Sequence, residues 1–532
     1  MSVTRREFLK TCAVGTAALS VPGALGWETA LARSSAGTPD PVYRALMAVA
    51  LETATKLGAS YADMRVCRYR VQDVSLRTQP DLRTGAVTNV PSLSESERFG
   101  FGVRVLVDGA WGFAGSPRVE KEEVARVAQD AVGVAKTNAA LQRTPVQLAP
   151  VKPAEALWRT PFKKDPFAIS VKEKLAFLQA INDEVRQVPK VFMVRYSLRV
   201  RSEHKFFAST EGSYLEQYLQ QIVPDYEATA VDFATRIRRE RSSAVPPVSG
   251  GYEYVEQARM IENARRVGEE CVEHLTAPPV TPGKKDLVIH PSNLCLTIHE
   301  SIGHSTELDR ALGYEANFAG TSFLTPDKLG TYQVGSERVN LVCDRILPGG
   351  LSTCGYDDEG VKTTRFYIIR DGLFVGYQTI RDQAHLIGDL ESHACCYADS
   401  YNSIPFQRIP NVWLLPGPEP LTLEDLIGGV DDGVLIDGLG SWSIDQQRYN
   451  FQFGGDAFWE IKGGKKGKMI SRVAYQARSD EFWRSCDAIA DSRFWENMGL
   501  TGDGKGQPMQ TNAMSHGCAP ARFRQINVLL TE

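Results

Sequence analysis

Histidine is scarce in this chain, with 8 among 532 residues. Two of the eight fall within six positions of each other, His299 and His304. Other shortages exclude whole classes. No apolar run reaches the roughly 18 residues that a membrane-crossing helix requires. Neither charge sign dominates: 60 basic against 64 acidic residues give a net charge of -4, without the basic footprint of a nucleic-acid binder. The 10 cysteines are scattered and include no C-x-x-C pair. The adjacent Cys395 and Cys396 would close a strained ring as a disulfide, so two core thiols are the better account. No internal repeat is visible. What remains is ordinary globular composition, 43% hydrophobic and 23% charged, in a chain long enough for two or three domains.

The stretch His299-Glu300-Ser301-Ile302-Gly303-His304 carries the chemistry. Two imidazoles flanking a carboxylate form the smallest unit that binds a transition metal and sets a base beside it. The spacing is H-E-x-x-x-H, one residue longer than H-E-x-x-H. In a regular α-helix, residues five apart sit about 140° apart around the axis. A single π turn brings them to roughly 50°, so the sequence predicts a distorted turn, with Gly303 placed to absorb it. Upstream, Asp286 onward reads as a strand ending in a Pro-Ser-Asn turn, where Ser292 or Asn293 caps the helix. Leu294, Leu296, Ile298 and Ile302 make that helix apolar and buried. The second ring N–H of each histidine requires a partner, for which Asp357, Asp358 and Glu359 are the candidates.

The N-terminus has the order of an export signal. Thr4-Arg5-Arg6-Glu7-Phe8-Leu9-Lys10 is a twin-arginine pattern, Cys12 to Leu25 is weakly apolar, and Ala30-Leu31-Ala32 fits small-residue cleavage. Cys12 precedes the apolar run, which disfavours a lipoprotein. Residues 1–32 are therefore expected to be a signal peptide, with the mature chain beginning near Arg33 in the periplasm or another exported compartment. The other nine cysteines are an odd number, so disulfides could not pair them all.

Along the chain, Val42–Leu57, Glu120–Leu141, Lys172–Val188 and Tyr254–Leu275 have helical spacing. Tyr61–Leu76 alternates as a strand, Phe99–Phe113 reads as two strands joined at Asp108-Gly109, and Val191–Val231 as a three-strand meander. This mixture without a βαβ rhythm is α+β over 33–276. Residues 277–287, rich in Pro, Gly and Lys, form a linker. From 288 to 532, short alternating runs predict a mostly antiparallel, barrel-like β domain that carries the H-E-x-x-x-H helix. A short helix is expected within 481–497 and a last strand from Ala521 to Leu530. The polar-aromatic stretch Asp445–Gly455 reads as a sheet face rather than a cleft lining. Lys462–Lys468 reads as a solvated hairpin tip.

These motifs together resemble the TldD/PmbA family of metalloproteases. Leu57-Gly-Ala-Ser-Tyr-Ala-Asp-Met-Arg-Val resembles the family's opening helix and strand. Gly102–Phe113 resembles its hairpin, His299–His304 its metal motif, and Tyr356-Asp-Asp-Glu-Gly the stretch that follows. The resemblance implies zinc on His299, His304 and a downstream cysteine, with Glu300 as catalytic base. It also implies dimers, of identical or related subunits, enclosing a chamber for small or unfolded peptides. The chain keeps the motif that the family's inactive partner subunits lack. It departs at the third ligand: the family cysteine's place, before a Gly-Lys stretch, falls on Asp503 in Thr501-Gly-Asp-Gly-Lys-Gly-Gln-Pro. A cysteine comes later, at Cys518, in Ser515-His516-Gly517-Cys518. Zinc accepts carboxylate oxygen and thiolate sulfur alike. Asp503 is favoured by alignment, and Cys518 or His516 by ligand softness. Two readings follow, a zinc-dependent peptidase, or a non-catalytic peptide-binding or assembly subunit that has lost its third ligand.

Overall fold

A computed structural model describes residues 37–531 apart from 82 and 85. The expected signal peptide lies outside the described residues. The N-terminal part is one eight-stranded sheet with helices against it. Its strands are β1 (Tyr61–Pro80), β2 (Val87–Val107), β3 (Ala110–Ser116), β4 (Glu155–Arg159), β5 (Val191–Ser209), β6 (Tyr214–Asp232), β7 (Ile237–Ser242) and β8 (Val248–Ser249). The order is β3-β2-β1-β5-β6-β4, with β7 and β8 also on β6. Helices α1 (Arg44–Lys56) and α2 (Lys121–Ala139) cover one end of the sheet. Helices α3 (Val171–Val185) and α4 (Met260–Glu273) cover the other.

Asp108 and Gly109, with φ of 49° and 76°, make the tight turn between β2 and β3 that their residue types favour. Two expectations fail here. The Val191–Val231 meander is two long strands, β5 and β6, turning near Gly212. Strand β2 begins at Val87, twelve residues before the apolar alternation shows, because its first part is exposed on both faces.

The second part is built on a mixed sheet. Its strands are β9 (Gly283–Ile289), β10 (Leu341–Asp344), β11 (Arg365–Arg370), β12 (Leu373–Phe374), β13 (Cys396–Tyr397), β14 (Phe406–Gln407), β15 (Val412–Leu414), β16 (Asp432–Asp437), β17 (Trp442–Ile444), β18 (Asn450–Phe453), β19 (Ala457–Lys462), β20 (Lys465–Ile470), β21 (Val473–Arg478), β22 (Cys486–Ile489), β23 (Gly499–Lys505), β24 (Gln510–Ser515) and β25 (Ala521–Leu530). The large sheet runs β17-β18-β21-β25-β9-β16-β19-β20, with β22 beside β25. It is open, and antiparallel except for the β9–β16 pair. The architecture is the α+β one expected. The helix expected within 481–497 is a single turn and a half, Ser479–Arg484, followed by β22, which the Trp- and Phe-rich sequence conceals.

Buried ion pairs join the two parts. Arg241, at the end of β7, has its side chain 2% exposed and reaches Asp437 and Asp456 at 2.5 Å each. Asp358 accepts from Lys205 at 3.2 Å, and Glu359 from Arg104 at 3.1 Å. Asp358 and Glu359 therefore serve the junction, while Asp357 accepts from the Glu359, Val361 and Cys396 backbone N–H groups, so these bonds do not serve the histidines, contrary to expectation. Arg241 also pairs with Glu270 at 2.8 Å, and its three carboxylate partners are 15–17% exposed, so Arg241→Ala should lower unfolding stability by about 3 kcal/mol, the low end for breaking a buried pair. Thermal or denaturant unfolding measures it.

Candidate metal centre

The site is assembled where a central strand feeds a helix. Strand β9 is hydrogen-bonded on both sides, to β25 and β16. It hands over at His290 to helix α5 (Pro291–Ile298), whose first turn is preset by Pro291. Ser292 and Asn293 do not cap it, contrary to expectation. The Ser292 hydroxyl instead donates to Asp437. Asn293 donates to Gly438 O and Gly454 O and accepts from Tyr475, tying the helix to the sheet.

Beyond α5 the backbone makes one π turn, His299–Gly303, closed by the His304 N–H to His299 O. This turn lets residues five apart face one point. The ring centroids of His299 and His304 are 4.5 Å apart. Gly303 has ordinary right-handed helical torsions, so the distortion is not absorbed by glycine's freedom, contrary to expectation. Neighbours hold it instead. Ser301 Oγ donates to Thr297 O at 2.5 Å, Trp483 Nε1 to Ser301 Oγ at 2.9 Å, and Gln378 Nε2 to Gly303 O at 2.6 Å. Carbonyls loosened by the wider turn thus keep donors.

Asp503, on β23, completes a triad. Its Oδ1 lies 3.7 Å from His299 Nε2 and 3.6 Å from His304 Nε2. Ligand atoms about 2.0–2.1 Å from a tetrahedral ion are roughly 3.3 Å apart, close to the two separations from Asp503. The carboxylate of Glu300 belongs to the same cluster, within 4.8 Å of the ligand atoms of both histidines. Cys518 is not brought there. Its Sγ lies 3.9 Å from Pro291 O, at the far end of α5, and burial holds its thiol well above the usual range.

The tautomers follow from the outer partners. His516 Nδ1 faces the Val412 carbonyl at 2.9 Å, an acceptor only, so this nitrogen carries the proton. Burial, with His299 beside it, holds His516 neutral, far below the ordinary histidine value. Its Nε2 therefore accepts from His299 Nδ1 at 2.9 Å, leaving His299 Nε2 to face Asp503. His516 is thus a support, not a ligand. His304 Nδ1 donates to Glu307 Oε2 at 2.8 Å, shorter than the 3.3 Å to Arg310 Nη2, so its Nε2 is also free. Burial, reinforced by Arg310, pushes His304 down to about 4. Burial would raise Asp503, but His304, His299 and Arg408 together hold it far below the carboxylate range. Burial would lower His299, but its hydrogen bond to Asp503 raises it above the ordinary histidine value, so a bound cation would take the place of a proton there. Two imidazole nitrogens and one anionic oxygen are a donor set that suits zinc.

Sequence reasoning missed four supports. Glu307 carries a weak local signal, being three residues beyond His304 on the same chain turn. Lys505 binds Glu307, Asp309 and Gln407 at 2.6–2.8 Å, and so docks the β23–β24 hairpin that carries Asp503. Arg408 grips Asp503 itself. Arg448 Nη1 donates to Glu300 Oε2 at 2.8 Å. Arg448 comes from the 445–455 stretch read as a sheet face. Its φ is 62°, and its carbonyl accepts from Ser479 Oγ at 2.7 Å.

The model for the PmbA/TldA metallopeptidase C-terminal domain matches residues 282–528, and that for domain 1 of the same family matches 88–135. A metalloprotease of Synechocystis is 27% identical over 460 residues, 85% of this chain and 92% of its own. A zinc metalloprotease TldD homolog of Saccharolobus solfataricus is 21% identical over 422 residues, 75% of this chain and 82% of its own. The fold is similar to that of TldE from Thermococcus kodakarensis, with a TM-score of 0.66 at 17% identity, covering 91% of this chain and 99% of that one. One family model falls in each half of the chain, and the motif residues are gathered in the second: residues 282–528 match the PmbA/TldA metallopeptidase C-terminal domain, and the chain is similar to TldD/PmbA metallopeptidases over most of its length.

Proposed function

We propose that this protein is a zinc-dependent peptidase acting on small or unfolded peptides, with His299, His304 and Asp503 as ligands and Glu300 as base. The observation that carries the reading is the convergence of His299 Nε2, His304 Nε2 and Asp503 Oδ1 beside the Glu300 carboxylate. It favours a working enzyme over a non-catalytic subunit, because a third donor stands where the cysteine is replaced. Zinc, when bound, polarises the scissile carbonyl and acidifies water. Glu300 takes the proton of the attacking water and passes it to the leaving amine. Arg448 holds the Glu300 carboxylate in one orientation. His516 and Glu307 hold the two ligand rings in the tautomer that presents Nε2. The test is metal analysis of the purified chain alongside peptide cleavage. Stoichiometric zinc with cleavage that a chelator abolishes supports the proposal, and cleavage that persists without metal overturns it.

Arg448→Gln should keep zinc and lower turnover about 10- to 100-fold, since a hydrogen bond to a charged group contributes roughly 1.5–3 kcal/mol. Metal content and kcat, measured on the same sample, check this.

We further propose that the functional unit is a dimer, with an identical or a related subunit. We also propose that residues 1–32 direct twin-arginine export, with domains 33–276 and 288–532 joined through 277–287, although the last five of these residues, 283–287, fold into β9 and do not act as linker. All nine cysteines of the described residues are free and buried, which suits a chain that folds in a reducing compartment before it is moved. The expected result is that a thiol reagent labels none of these nine in the native exported protein and all nine after denaturation. Disulfides found by mass spectrometry in the exported form would contradict it.

A further inference from the structure

We infer that Arg408 is a positioning residue for the ligand carboxylate: it occupies one oxygen of Asp503 and leaves the other to the cation. The inference rests on the reading of Asp503 as third ligand. The two oxygens have different surroundings. Oδ1 faces both imidazoles, at 3.6 and 3.7 Å. Oδ2 accepts from Arg408 Nη2 at 3.0 Å.

Arg408 does more than pair a charge. The same Nη2 donates to Asp503 O at 2.7 Å, and Nη1 donates to Gln510 O at 3.0 Å. One guanidinium therefore fixes the backbone of both strands of the β23–β24 hairpin and the carboxylate between them. Its two terminal nitrogens, held in one plane, reach acceptors on two different strands, a spread that the single nitrogen of a lysine ammonium does not have. The preceding residue, Gln407, accepts from Lys505 Nζ at 2.6 Å. Two consecutive residues thus hold two alternate residues of β23, 503 and 505, which set the height and tilt of the ligand. The Arg408 side chain is 1% exposed, so solvent does not compete for these bonds.

The coordination consequence is specific. Carboxylates bind cations through one oxygen or two. With Oδ2 committed to a guanidinium, Asp503 offers one. The ion then has three protein donors, and a position stays open for water or substrate, as in catalytic zinc sites. Without Arg408, Oδ2 can turn toward the ion and fill that position, while the hairpin loses its anchor.

The experiment loads metal-free wild type, Arg408→Gln, Arg408→Lys and Asp503→Ala with Co2+ alone. It reads affinity by chelator competition and coordination number by the visible absorption band, with circular dichroism reporting the fold. Wild type should show the intense band of a low-coordinate ion. Arg408→Gln should weaken affinity about 10- to 100-fold, the usual cost of losing an outer partner, and weaken the band as both oxygens bind. Arg408→Lys should fall between the two, and it decides the matter should Arg408→Gln not fold. Wild-type affinity and band in the folded arginine variants, with both lost in Asp503→Ala, overturn the role of Arg408 alone. Wild-type behaviour of Asp503→Ala overturns the ligand reading on which it rests.

Discussion

Replacing Glu300 by Gln should leave zinc in place and lower turnover by roughly 10²–10⁴-fold, the usual contribution of a positioned base. Glu300 is not one of the three ligand donors, so its charge is dispensable for binding the ion. The amide has the shape of the carboxylate and still offers an oxygen to Arg448 Nη1, now at 2.8 Å from Oε2. The fold around the turn is therefore expected to survive. The amide oxygen is far too weak a base to take a proton from water, and the amide NH2 is far too weak an acid to protonate a leaving amine. The measurement pairs zinc content with kcat. Wild-type turnover with full zinc would remove Glu300 from the mechanism, and loss of zinc would make it a ligand.

The second large effect is at His304. His304→Ala should abolish stoichiometric zinc and with it all chelator-sensitive cleavage. Its Nε2 is one of three donors, so affinity should drop by more than the 10- to 100-fold that losing an outer partner costs. The fold is expected to hold. Glu307, the partner of His304 Nδ1, keeps Arg310 at 3.0 Å and Lys505 at 2.8 Å. Zinc content after dialysis, with thermal unfolding as the control, checks the prediction. His304→Ala with full zinc would show that the π turn gathers the two rings for some other purpose.

Local pattern carried much of the fold. The helices 44–56, 121–139, 171–185 and 260–273 are periodic on their own, and Asp108-Gly109 is a turn by residue type alone. The first part of β2 showed no alternation because neither of its faces is covered, and Val191–Val231 hid the length of β5 and β6 because breaks in apolar pattern were read as turns. The cause in both is burial, which only neighbours across the sheet determine.

For the site, the division is sharper. The sequence by itself determined the three residues of the motif, and arithmetic on their spacing required a wider turn, since imidazoles five apart on an α-helix diverge. It left open which of Asp503 and Cys518 stands with them, because both follow more than 190 positions later in the chain and ligand type does not choose. The tertiary structure decided that placement: the β23–β24 hairpin, anchored by Arg408 and Lys505, sets Asp503 against both rings, while Cys518 lies behind the start of α5. It alone also brought Arg448 to Glu300 and His516 to His299. These contacts join residues 148 and 217 positions apart, and no local periodicity encodes a distance of that kind.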